Sequence, residues 1–178
     1  MAGNLIKNPC GQENMAFWAI TANGGDKWRV DDISFPGRND FLPEVMTKTF
    51  VTSFGMCLKK QVVDLLAAGF LPDALDAQPP VTVKDWYSGR TDCGCTYQLT
   101  VCLLDENKEI LQKFEPSKVT LEKKDGDSWR KVTRTFSQYG PGLRFISFEH
   151  GGQDTQYWKG SYGVRVTGSS VIVEQHHP

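Results

Sequence analysis

The chain has 178 residues, 39% of them hydrophobic and 23% charged, with 20 Lys and Arg against 21 Asp and Glu for a formal net charge of −1. That composition describes one folded domain and excludes a disordered segment, and so even a charge balance gives no general attraction to nucleic acid. No apolar run is long enough to span a membrane, and residues 1–7 lack the apolar core of a secretory signal, so no membrane partner is expected.

Residues 4–11 form a short segment ended by turn residues, and residues 15–20, with Phe17 and Trp18, suit a turn or the start of a strand. Asn23-Gly24-Gly25-Asp26 is a turn signal, after which residues 27–30 alternate charge with apolar bulk as a half-buried strand does. Residues 33–43 contain Pro36, Gly37 and Pro43 and read as a loop, whereas the β-branched and aromatic residues 50–54 read as a strand. Residues 58–75 admit two readings. One is a helical face built on Val62, Val63, Leu65, Leu66 and Phe70; the other is a strand over residues 60–65 leading into a short helix around residues 72–76, with Pro72 in its first turn.

From residue 81 the strand signals become regular. Residues 81–86 are followed by a turn-rich stretch, and then Tyr97, Leu99, Val101 and Leu103 alternate with Gln98, Thr100, Cys102 and Leu104. Residues 110–114 pair back across a polar turn at 105–108, and residues 119–121, 129–136, 143–149, 162–167 and 171–173 supply the remaining strands. Many short strands at this spacing predict an all-β fold, an antiparallel β-sandwich or jelly roll, whose end loops commonly carry a binding site.

Residues 150–160, His-Gly-Gly-Gln-Asp-Thr-Gln-Tyr-Trp-Lys-Gly, read as such a loop, in which two glycines free the backbone and polar groups stand beside two large aromatics. Aromatic faces bind the C–H faces of sugars, bases or apolar ligands while neighbouring polar groups read hydroxyls or amides. Spacing alone favours Tyr157 and Trp158 as packing residues at the head of the next strand. Adjacent strand residues point to opposite faces, however, so at least one aromatic, or Lys159, must face solvent or a ligand.

Cys10, Cys57, Cys93, Cys95 and Cys102 are an odd set without the density of a disulfide scaffold, and no Asn-x-Ser/Thr acceptor is present. Reduced thiols and a cytoplasmic location are expected. Nothing matches a nucleophile elbow, a phosphate-binding loop or a zinc-protease helix, and His176 and His177 sit in a C-terminal tail expected to be mobile. Cys93-Gly94-Cys95 lacks a second ligand pair, and the acid pairs Asp31-Asp32 and Asp105-Glu106 lie in polar turns. The expectation is a binding protein, not an enzyme, with neither a catalytic site nor a metal or other cofactor.

Three stretches carry a resemblance: residues 84–92 (Lys-Asp-Trp-Tyr-Ser-Gly-Arg-Thr-Asp), 139–145 (Tyr-Gly-Pro-Gly-Leu-Arg-Phe) and 148–160, from Phe148-Glu149-His150 to Lys159-Gly160. With residues 4–11 and 23–26 they closely resemble the F-box-associated domain of the sugar-recognising F-box proteins, a family also related to the non-specific cytotoxic cell receptor. The likeness covers nearly the whole chain. It implies a single domain over residues 1–178, jelly-roll or galactose-binding-domain-like, with one or two short helices. It also implies binding of the inner chitobiose of N-linked high-mannose glycans on misfolded glycoproteins. In full-length relatives an F-box recruits the adaptor and cullin of a ubiquitin ligase; these residues contain no F-box, so that role is expected only where one is joined to the domain.

Carried over residue by residue, the resemblance assigns Phe54, Tyr157 and the stem of Lys159 to a slot for an N-acetyl group. It gives Trp158 to a pyranose face, and Asp92 to hydrogen bonds from hydroxyl or amide groups, a role in which a buried Asp92 would need such partners. Ser161 stands where a tryptophan is common and Gly168 where asparagine is. A free-standing lectin for surface or microbial glycans and a non-lectin protein-interaction module remain as alternative functions.

Overall fold

The computed structural model describes residues 3–33 and 46–174. In chain order its elements are β1 (Ala19–Asn23), β2 (Arg29–Asp32), β3 (Lys48–Val51), β4 (Cys57–Asp64), α1 (Pro72–Asp76), β5 (Val81–Ser88), β6 (Cys95–Leu104) and β7 (Ile110–Phe114). β8 (Val119–Leu121), a 3-10 turn (Lys123–Asp125), β9 (Arg130–Phe136), β10 (Phe145–Asp154) and β11 (Arg165–Val173) complete it. One sheet runs β1-β4-β10-β6-β7 with β8 also on β6, and the other runs β2-β3-β11-β5-β9. Every pairing between them is antiparallel.

The antiparallel sandwich is the predicted class, and its physical basis is the alternation in β6. Successive strand residues face opposite sides, so Tyr97, Leu99, Val101 and Leu103 all turn inward and are buried. They join Phe50, Val83, Phe136, Ile146, Phe148, Val166 and Val171 in one core between the sheets. Such burial of large apolar side chains is worth about 1.5–3 kcal/mol each before entropy is counted.

The ambiguous stretch resolves as strand then helix. β4 takes residues 57–64 and α1 residues 72–76, with Pro72 at the helix start, where its missing N–H costs nothing. The helical-face reading fails because β4 alternates: Cys57, Lys59, Gln61 and Val63 point inward while Val62 is exposed. Two predicted strands, 162–167 and 171–173, are one, β11, carried past Gly168 (φ +66) by a bulge between Thr167 and Ser170. The strand predicted for residues 50–54 ends at Val51. The loop expected at 33–43 falls beyond Ile33 outside the described residues, as does the tail with His176 and His177.

The sandwich core also contains polar groups. Asp85 in β5 accepts hydrogen bonds from the Tyr97 hydroxyl in β6 and from Ser169 Oγ in β11 at 2.8 Å, and it is hydrogen-bonded to His150 Nδ1 in β10. All four side chains are buried. The loop reading of His150 is therefore corrected: the residue sits inside the core, opposite Lys59 of β4 in register.

Candidate functional site

Three loops meet at one end of the sandwich, and the chain builds them from glycines and short polar side chains. In the β1–β2 turn and the β3–β4 loop the backbones nearly touch: a Cβ on Gly55 would lie 2.6 Å from Gly25 N. Gly25 also has φ +58 and would press a Cβ to 3.0 Å from Phe54 Cδ1, so the half-buried Phe54 is seated against a glycine by necessity. Ser53 then joins all three loops. Its Oγ donates to the Gly160 carbonyl at 2.6 Å and accepts the Asp26 N–H at 2.9 Å, while Gly160 N–H donates to Asp26 Oδ2 at 2.6 Å.

The third loop differs from its sequence reading. The strand before it runs on through Gly151 and Gly152 to Asp154, so the two glycines serve the sheet, not a loop. A Cβ at Gly151 would come 1.9 Å from Cys57 O on β4, and one at Gly152 would come 1.8 Å from Thr96 O on β6. The loop proper begins after Asp154, a buried residue whose Oδ1 accepts the N–H of Gln156 at 2.9 Å and that of Tyr157. This Asx-type turn carries Tyr157 into the left-handed region at φ +56, and from there the side chains project from the surface. Tyr157 is 71% and Trp158 38% exposed, which overturns the packing reading for both. Lys159 is exposed as well.

Asp92 reaches this loop through intermediaries that sequence reasoning missed. Arg90 grips it with two bonds, Nε to Oδ1 at 2.7 Å and Nη2 to Oδ2 at 2.9 Å. The Arg90 guanidinium also lies 4.8 Å from the centroid of the Tyr162 ring, and Tyr162 meets Trp158 edge-on at 5.5 Å and 84°. The hydrogen bond from Arg90 holds the Asp92 carboxyl below its usual pKa, so it is ionised at neutral pH. Asp92 is exposed, not buried, which removes the argument that burial forces partners on it. Asp92 and Trp158 thus belong to one chain of contacts, and Phe54 and Lys159 adjoin the two ends of the Ser53–Gly160 bond.

Ser161, half-buried, separates Gly160 from Tyr162 in this loop. Gly168 lies elsewhere, in the β11 bulge, where a Cβ would meet Met46 Sδ at 2.5 Å. The five cysteines are unpaired, and burial pushes the Cys95 thiol up to about 12. Among the described residues no cluster of His, Cys, Asp and Glu could hold a metal ion, and no helix is long and apolar enough to cross a membrane.

A family model, the F-box associated region, matches residues 1–173. The chain belongs to that family. F-box only protein 6 of Rattus norvegicus is 50% identical over 171 residues, covering 96% of this chain and 60% of that protein. F-box only protein 2 of Bos taurus is 48% identical with 96% and 59% covered, and F-box only protein 44 of Homo sapiens 47% identical with 96% and 67% covered. The chain therefore spans about 60% of the length of the first of these relatives.

Among solved structures, this F-box associated region superposes on TmCBM61 in complex with β-1,4-galactotriose with a TM-score of 0.56 at 15% identity, covering 97% of this chain and 99% of that one. A xylan-binding domain from CBM 22 gives a TM-score of 0.50 at 6% identity, with 96% and 95% covered. At these identities the shared feature is the fold alone, an antiparallel β-sandwich. Sequence spacing could have flagged two members of the site: an Asp three residues before a loop aromatic is a turn-capping pattern, and Arg90 stands two residues from Asp92. The contact between Tyr162 and Trp158 had no comparable signal.

Proposed function

We propose that this F-box associated region is a lectin domain, not an enzyme, that binds the inner chitobiose of N-linked high-mannose glycans. Joined to an F-box, it acts in the cytoplasm as the substrate receptor of a ubiquitin ligase that removes misfolded glycoproteins. The observation that carries the reading is the exposed Trp158, braced edge-on by Tyr162 and linked through Arg90 to an ionised Asp92. N-acetylglucosamine offers complementary groups: a C–H face for the indole, a methyl for the slot beside Phe54 and Tyr157, and N–H and O–H donors for Asp92. The aliphatic stem of Lys159 completes the slot while its ammonium stays in water. Family relatives that are F-box proteins and sandwich neighbours solved with or named for polysaccharides point the same way.

The reading also explains client choice. Inner chitobiose is shielded by the folded surface of a glycoprotein, so a receptor for it responds to unfolded clients. Titration of the domain with chitobiose, followed by tryptophan fluorescence and calorimetry, tests the site. Saturable binding of chitobiose but not of galactose or lactose is expected. Binding of galactose sugars alone would replace this reading with a free-standing lectin of different specificity, and binding of no sugar would replace it with a protein-interaction module.

A further inference from the structure

Strand β9 ends the sheet β2-β3-β11-β5-β9, so among the described residues one of its edges has no strand beside it. Its sequence over residues 130–136, Arg-Lys-Val-Thr-Arg-Thr-Phe, carries three cations and no acid. We propose that this edge docks an acidic segment of a partner protein in extended conformation, as an added strand. The surface makes no use of the aromatic loop and stands apart from the glycan reading.

The backbone supplies the first half of the recognition. Pro80 O accepts the N–H of Glu174, just past β11, so the even-numbered residues of β5 turn their backbone groups to β11 and the odd-numbered ones turn theirs to β9. Their partners on β9 are Arg130, Val132, Arg134 and Phe136, whose N–H and C=O groups therefore pair inward. Those of Lys131, Thr133 and Thr135 are left on the open edge. An extended backbone matches this alternation of donor and acceptor, whereas a phosphodiester has no donor to offer the carbonyls.

The side chains supply the second half. On the outer face Lys131 lies beside Trp86 in register, its Nζ 5.6 Å from the ring centroid, and Thr133 lies beside Lys84. Thr135 is hydrogen-bonded to Thr82 at 3.0 Å on that face. On the inner face Val132 packs against the core, and the Arg134 guanidinium stands 5.5 Å from the Phe114 ring centroid in β7, which ties this edge to the other sheet. Arg130, Lys131 and Arg134 are exposed, and none is in an ion pair among the described residues. The other edges lack such a row: β1 and β8 carry no charge, β7 has one lysine, and in β2 Arg29 is paired with Asp31 and Asp32 with Lys48. Cations on an edge strand guard against pairing between copies, because like charges meet. The same row attracts a strand of opposite sign.

The test uses a fluorescein-labelled peptide of about eight residues that alternates Glu and Val, a length and pattern suited to a strand. Its control has the same charge, with proline at every second Val. Anisotropy is read in the parent domain and in the Lys131→Glu, Lys131→Arg and Thr133→Pro variants, with thermal midpoints checking that each is folded. Proline at 133 removes an edge-facing N–H and no ladder bond, a position an edge strand tolerates. The parent should bind the alternating peptide about tenfold tighter than its control. Affinity should fall about fivefold in Lys131→Glu and in Thr133→Pro, and stay within about twofold in Lys131→Arg. Amide signals of Lys131, Thr133 and Thr135 should move on titration of the parent. No binding by the parent, equal binding of the two peptides, or parental affinity in both Lys131→Glu and Thr133→Pro would overturn the proposal.

Discussion

Asp154 Oδ1 accepts the backbone N–H of Tyr157, three residues further on, as well as that of Gln156. This single buried carboxylate sets the start of the loop that presents Tyr157, Trp158 and Lys159. Hydrogen bonds to a charged group are worth about 1.5–3 kcal/mol each. Asp154→Ala should therefore lower stability by about 2 kcal/mol or more and weaken chitobiose binding as well. Asp154→Asn keeps one acceptor oxygen and should retain most of both. Urea unfolding and calorimetry on the two variants check this; equal losses in both would mean that the charge, not the turn, is what matters.

Trp158→Ala should separate binding from folding. The indole projects from a loop and packs edge-on against Tyr162, so its removal takes little from the core. The thermal midpoint should stay within a few degrees, equivalent to under about 1 kcal/mol. Chitobiose affinity should fall by about 2 kcal/mol or more, roughly thirtyfold, as for an aromatic anchor at an interface. A large fall in midpoint would instead give Trp158 a structural role.

The positions of β5 and β6 were legible because buried and half-buried residues alternate over Val81–Lys84 and Cys95–Thr100, and the sandwich follows from them. What was illegible depended on long-range neighbours. Gly151 and Gly152 look like loop residues in the sequence, since a glycine does not reveal which backbone it approaches. Only the pairing of β10 with β4 and β6 shows that carbonyl oxygens occupy the space of their side chains. The exposure of Tyr157 and Trp158 was hidden similarly, because spacing does not record that Asp154 ends the strand three residues earlier. The identities of the proposed contact residues came from motif resemblance and the pairing of Arg90 with Asp92 was within reach of their spacing, whereas the contact of Tyr162 with Trp158 needed coordinates.

A consequence of that close approach is a contrast between glycines. Gly152→Ala should cost more than about 4 kcal/mol, or prevent folding, because its Cβ would lie 1.8 Å from a carbonyl oxygen. Gly126→Ala should cost less, about 1–3 kcal/mol: φ is +75 and ψ −164 there, backbone geometry essentially confined to glycine, yet nothing lies within 4 Å of the added Cβ. Soluble yield and urea midpoints measure both, and a well-folded Gly152→Ala domain would refute the described pairing of β10 with β6.

Lys59 is a costly residue to bury in the core. Its Nζ is buried without a hydrogen-bond partner, 3.1 Å from the Trp18 ring centroid and 3.8 Å from that of Phe50. Cation–π contact at a dry site returns about 2 kcal/mol, less than the several kcal/mol that desolvating an ammonium costs. Desolvation accordingly holds its pKa well below the usual lysine value, against the attraction of Asp85. Lys59→Met keeps the stem and should stabilise the fold by about 1–3 kcal/mol at neutral pH. Because the folded pKa lies below the unfolded one near 10.5, parental stability rises as pH climbs towards that value. The advantage of Lys59→Met should therefore shrink by about pH 10, a trend that thermal midpoints at two pH values would reveal.

His150 should make the domain acid-sensitive. Desolvation lowers its pKa first, the Asp85 charge opposes that, and Lys59 lowers it further. Unfolded histidine titrates near 6.5, so below that pH the unfolded chain binds a proton that the folded core refuses. Stability is then fully present above about pH 6.5 and is lost as pH falls through that value towards the lower folded pKa. Carboxylates also contribute in acid, so a midpoint curve alone would not isolate this residue; the assigned His150 ring proton in an NMR titration does. It should hold a neutral shift from pH 8 past the pH near 6.5 at which the unfolded imidazole titrates, while the thermal midpoint begins to drop. In Lys59→Met, with one repelling charge removed, the same proton should begin to titrate at a higher pH than in the parent. A His150 resonance that titrates near 6.5 in the intact fold would refute the buried neutral imidazole and with it this account of the core.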